Sequence, residues 1–156
     1  MTLDPFAFGA EQQCFGCGPH NHGGLKLRFE RDGEEVITHW TPVPPYEGPP
    51  GLLHGGIQAT LADELAAWAI VGLRGKMGLT SSMQLRLFRG ARLGVVLEGR
   101  AKIVAEAEDV VTVEVKFTQE NQQIFGGRIS FRLLAKDSYE RVVGKPLPEA
   151  WARFCL

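Results

Sequence analysis

Leu53-His54-Gly55-Gly56-Ile57-Gln58-Ala59-Thr60-Leu61-Ala62-Asp63-Glu64 runs two adjacent glycines straight into an apolar helix that carries an acid. Glycines at a helix start let a ligand approach the backbone, and the free N–H groups of the first turn face it with the positive end of the helix dipole. An electron-rich carbonyl oxygen suits such a place. At about 3.6 residues per turn, Gly56, Thr60, Asp63 and Ala67 share one narrow face, and Ile57, Leu61, Leu65, Trp68 and Gly72 fill the opposite side. A carboxylate two turns below such a terminus points to acyl chemistry.

The pattern predicts a helix from about Gly55 to Leu73, ended by Gly75 and Gly78. It is apolar nearly all round, so protein wraps most of it. Residues 41–53 hold five prolines and form a loop that delivers the chain to the helix. Upstream, Leu25, Leu27 and Phe29 alternate with charged residues, and after Arg31-Asp32-Gly33 the alternation resumes through Val36, Thr38 and Trp40, which predicts a hairpin. Downstream, Met83, Leu85 and Leu87, then Val95, Leu97, Ala101 and Ile103, then Val113, Val115 and Phe117, then Ile129, Phe131 and Leu133 recur at period two. Their polar alternates give an antiparallel sheet with one covered face. The fold class is therefore α+β, one long central helix wrapped by five to six antiparallel strands. Residues 135–156 read as a short tail with a helical turn near Pro148 to Phe154.

A chain of 156 residues is expected to form a single domain: a Cys-x-x-Cys segment over 1–24, a core over 25–134 and the tail. The net charge of −1 offers no overall attraction for nucleic acid or an anionic membrane. No apolar run is long enough to cross a membrane, and no positive segment leads into an apolar one as in a secretory signal. Three cysteines do not make a secreted disulfide framework, so the cytoplasm is the expected location.

His54-Gly55-Gly56 followed by Leu61-Ala62-Asp63, together with Cys14-Phe15-Gly16-Cys17-Gly18-Pro19, resembles the PaaI-like acyl-CoA thioesterases of the hotdog-fold superfamily over roughly residues 14–134. The resemblance implies a hotdog fold, acyl-CoA as substrate, no cofactor beyond the coenzyme A of that substrate, and a homodimer or homotetramer. It implies catalytic roles for Asp63, for the amide of Gly56 or its neighbour and for Thr80 at the start of the next strand, with Ser81 the alternative to Thr80. Its implied site is shared, Asp63 coming from the partner subunit. His54 shapes the site or transfers a proton, and Gly55 borders the substrate. The family's placement of coenzyme A implies phosphate contacts from among Arg74, Lys76, Arg89 and Arg92, with Arg74 and Arg89 foremost. Where some relatives have Asn or His before the histidine, this loop reads Tyr46-Glu47-Gly48-Pro49-Pro50, which makes Glu47 a further polar candidate.

Trp68, Met83, Leu85 and Phe88 are candidates to line an apolar acyl pocket. Glu64 lies about 100° round the helix from Asp63 and is expected to be solvated or paired at an interface. Cys14 and Cys17, with His20 and His22, form a cramped set of metal ligands, so no metal is expected and the motif reads as a turn packed near the site. The alternatives to hydrolysis are a non-catalytic acyl-CoA-binding module and a dehydratase-like enzyme acting on acyl-ACP, for which His54 is the only suitable histidine.

Overall fold

The computed structural model describes residues 1–156. Strands β1 (Thr2–Leu3), β2 (Phe29–Asp32) and β3 (Glu35–Trp40) precede the helix α1 (Gly55–Arg74), and β4 (Gly78–Leu87), β5 (Leu97–Ala107), β6 (Val110–Gln119) and β7 (Gln122–Leu133) follow it. Two short helices, α2 (Lys136–Val143) and α3 (Glu149–Ala152), end the chain. All seven strands join one antiparallel sheet in the order β1-β2-β3-β5-β6-β7-β4, which wraps α1 in the hotdog arrangement.

The period-two residues of β6 and β7 meet the helix, whereas Met83 and Leu87 of β4, expected on the covered face, are 38% and 48% exposed. Val111, Val113, Val115 and Phe117 of β6, with Ile129 and Phe131 of β7, are buried in one core with Leu61, Leu65, Trp68, Ala69 and Ile70 of α1. The helix sits close to β5. A Cβ at Gly99 would stand 2.5 Å from the Phe117 ring and 2.8 Å from a Leu65 methyl, so the absent side chain sets that approach. Gly75 ends α1 in the left-handed region at φ 63°, its N–H donating to the Val71 carbonyl at 2.9 Å.

The structure departs from the sequence expectation elsewhere too, β5 beginning at Leu97 so that Val95 lies outside it. It has seven strands rather than five or six, because the two residues of β1 pair with β2 and carry no alternation that could be read. The hairpin starts at Phe29 rather than Leu25. Leu25 and Leu27 are buried as their alternation requires, but their amides bond the carbonyls of Phe15 and Gly16 in the cysteine turn, and Lys26 at φ 52° breaks the extended run between them. The tail is also more ordered than expected: α2 is added, Leu147 and Cys155 are buried, and the Met77 amide bonds the Phe154 carbonyl at 2.9 Å.

Leu65 is fully buried between helix and sheet. Leu65→Ala is expected to destabilise the fold by about 2 to 5 kcal/mol, read from denaturant unfolding curves with an unchanged slope.

Candidate active site

The entry to α1 is built by His54. Its backbone lies at φ −58° and ψ 135°, its N–H donates to the Tyr46 carbonyl at 3.0 Å, and its own carbonyl accepts from Ile57 and Gln58. Its Nδ1 accepts the Gly56 N–H at 2.9 Å, so the imidazole caps the helix with that nitrogen unprotonated. The Gly56 amide, expected to face a substrate carbonyl, is therefore already engaged within the chain. The neighbouring Gly55 N–H has no partner and is the first-turn donor left exposed. The difference arises because the histidine folds back on the second helical residue. Glu47 is likewise engaged, its Oε1 accepting the Gly51 N–H at 2.6 Å and pinning the proline-rich loop.

Gln58 was not singled out by its sequence context. It is buried, its Nε2 donates to the Leu53 carbonyl at 3.2 Å, and its Oε1 is the one buried side-chain polar atom without a partner. Gly55, Gln58, Leu87, Phe88 and Arg89 line a hollow of about 330 Å³ beside the helix start.

Asp63 lies two turns further along, half-buried on the stripe that α1 does not press into the core. Its Oδ1 accepts the Thr80 hydroxyl at 2.6 Å. Burial raises the carboxyl above the usual aspartate range, and the Thr80 bond opposes that rise. Thr80 reaches this position through a bulge. The register of β4 on β7 shifts between Thr80 and Ser82, leaving Ser81 as the extra residue, whose hydroxyl turns to the Ser130 carbonyl at 3.0 Å. The structure thus joins Thr80 to Asp63 and ties Ser81 to the sheet instead.

The remaining candidates divide. Arg74 makes a two-point pair with Glu106 at 2.9 Å. Arg92 pairs with Glu120, and the Lys76 ammonium donates to the Cys155 carbonyl. Arg89 is exposed with no acidic partner, next to Gly55. Met83 is 38% exposed on β4, facing an open groove rather than a closed pocket. Trp68 is buried, stacked on Phe29 with ring centroids 5.0 Å apart, and lines a separate apolar cavity of about 390 Å³.

Glu64 is neither solvated nor at a free surface. It lines that same cavity, accepting the Trp68 indole N–H at 3.3 Å and meeting the Cys14 sulfur at 3.4 Å. Burial first, then the charge of Cys14, push its carboxyl up to about 8. The hydrogen bond with Cys17 is the main cause lowering Cys14 to about 5, and the same bond with burial pushes Cys17 up. His20 packs edge-on against Phe6, away from this cluster.

Residues 50–125 match the family model described as the thioesterase superfamily. Over that segment, just under half of its length, the chain is similar to the thioesterase superfamily. Among solved structures, a thioesterase superfamily protein is similar at 24% identity and TM-score 0.71, over 81% of this chain, which spans 64% of that protein's length. Zebra fish thioesterase superfamily member 2 is similar at 22% identity and TM-score 0.69, over 83% of this chain and 92% of that one. A hypothetical thioesterase from Streptococcus pneumoniae, solved with coenzyme A, is similar at 18% identity and TM-score 0.65, over 70% and 89%. No curated protein sequence gives a significant match. The solved structures share the hotdog fold seen here.

His54→Ala removes the cap of α1 and is expected to cost about 0.5 to 2 kcal/mol of stability, measured by thermal or urea unfolding. His54→Asn, which keeps a side-chain acceptor for the Gly56 amide, is expected to recover most of that loss.

Proposed function

We propose that the protein is an acyl-CoA thioesterase whose active site is completed by a second copy of the chain. The bond between Thr80 and Asp63 carries this reading. It occupies Oδ1 and aims a half-buried carboxylate, leaving Oδ2 for a water. Asp63 takes a proton from that water as its oxygen bonds to the thioester carbon, and the carbonyl electrons move onto the oxygen facing the Gly55 N–H. Collapse of the tetrahedral species breaks the C–S bond, and the coenzyme A sulfur leaves with the proton held by Asp63. The products are the free acid and coenzyme A.

Gly55 and Asp63 of one chain stand far apart for a single thioester. They lie eight residues apart on one helix, which is about 12 Å at a rise of about 1.5 Å per residue. An attacking water and an oxyanion donor each stand about 3 Å from the reacting group. This separation supports a site in which the amide and the acid come from different subunits. Strand β4 supports this assembly: it is an edge strand bonded only to β7, with Leu79, Met83 and Leu87 at 57%, 38% and 48% exposure. An exposed apolar edge favours pairing, most simply with an identical strand about a twofold axis. Arg89, which lines the same hollow as Gly55 and makes no ion pair, suits a phosphate of coenzyme A, with which the similar Streptococcus protein was solved.

Thiol release from a panel of acyl-CoAs tests the reading. Turnover of at least one member is expected, with a fall of at least about 10²-fold in Asp63→Asn and an intact fold. Acyl-CoA binding without thiol release would make the protein a binding module instead. Light scattering at micromolar concentration is expected to give a dimer or tetramer, and an active monomer would contradict the shared site.

A further inference from the structure

The cysteine turn and Glu64 form a cluster that the proposed hydrolysis does not use. Gly18 N–H donates to the Cys14 carbonyl at 2.8 Å and closes the turn that brings Cys14 and Cys17 side by side. Gly16 lies directly on Glu64 of α1, since a Cβ there would stand 2.5 Å from the carboxyl carbon and 2.6 Å from Oε2. The two sulfurs and a carboxylate oxygen all lie within 4.8 Å of one another. Around a tetrahedral zinc, donor atoms stand roughly 3.3 to 3.8 Å apart, and the Cys14 sulfur is already 3.4 Å from Glu64 Oε1.

Three acidic groups share this corner, yet no Lys, Arg or His lines the cavity they face. Ionised together, three such groups with no cation beside them call for a metal ion as counter-charge. The Trp68 indole N–H orients Glu64, the kind of outer hydrogen bond that holds a ligating carboxylate in place. We propose that Cys14, Cys17 and Glu64 form a binding site for a thiophilic divalent cation, zinc above all, that ties the N-terminal segment to α1. Two thiolates favour zinc over magnesium or calcium, which take oxygen donors. The fourth position opens onto the apolar cavity of about 390 Å³ between α1, β4 and the C-terminal tail, where water or a small ligand completes the coordination. The sequence expectation of no metal rested on His20 and His22 as the remaining ligands. Glu64 stands 50 residues from Cys14 and supplies the third donor from another element.

The test uses the full chain, purified under reducing agent and without chelator, and reads metal rather than activity. Elemental analysis is expected to show about one zinc per chain. Cobalt added to the metal-free protein is expected to give a thiolate-to-cobalt charge-transfer band, lost in the Cys14→Ser, Cys17→Ser double variant. Glu64→Gln is expected to weaken zinc binding at least about tenfold, measured by competition with a chromophoric chelator. Chelation of the wild-type protein is expected to lower its melting temperature and zinc to restore it, which needs no variant to fold. Absence of stoichiometric zinc and of any cobalt band in folded wild-type protein with free thiols would overturn the proposal. Undiminished zinc affinity in folded Glu64→Gln would overturn the three-donor site.

Discussion

Burial of α1 under the curled sheet is the constraint on which the other features depend. Leu61, Leu65, Trp68, Ala69 and Ile70 bury the helix over about half its circumference, Leu65 against β5 and Trp68 against Phe29 of β2. That orientation leaves a single stripe partly open, and Asp63 lies on it. It also sets the helix start against the end of β4, where Gly55 lies 3.5 Å from Leu87 by the Cβ it lacks. The same rotation turns Glu64 into the apolar corner beside Trp68 and the cysteine turn. Two adjacent acids thus acquire different surroundings from one packing decision.

Much of this was legible in the sequence because the signals are periodic. The alternation in Val113, Val115 and Phe117 and the apolar run of the helix report which side faces inward, and the core agrees with both. The spacing from Gly56 to Asp63 placed the acid on the correct stripe. What stayed hidden depends on pairing between distant segments. Arg74 reads as a free cation until β5 brings Glu106 to it. Glu64 reads as a surface acid until residues 14–18 fold over it. Gly55 and Gly56 are equivalent on paper, and only the rotamer of His54 decides which amide remains open.

Three features of the single chain stay open at one end of the helix. The helix start is exposed, the Gln58 carbonyl oxygen lacks a donor, and β4 shows apolar residues to solvent. Each lies near the edge at which a second sheet would pair, so one contact would cover the strand and bring a foreign carboxylate toward the Gly55 amide. Thr80 fixes the Asp63 carboxylate within its own chain.

Subunit mixing tests the shared site most directly. Gly55 is the first residue of α1, where proline is tolerated, and His54 at ψ 135° already has the conformation that a following proline demands. Gly55→Pro therefore deletes the amide donor without breaking the helix, as Asp63→Asn deletes the base. Each variant alone is predicted to be nearly inactive. Refolded together in equal amounts, half the dimers carry one chain of each kind and one intact site of two, so thiol release is predicted to return to about a quarter of wild type. Activity that stays at the level of the separate variants, with mixed dimers verified by mass, would show that amide and acid act within one chain and would contradict the account.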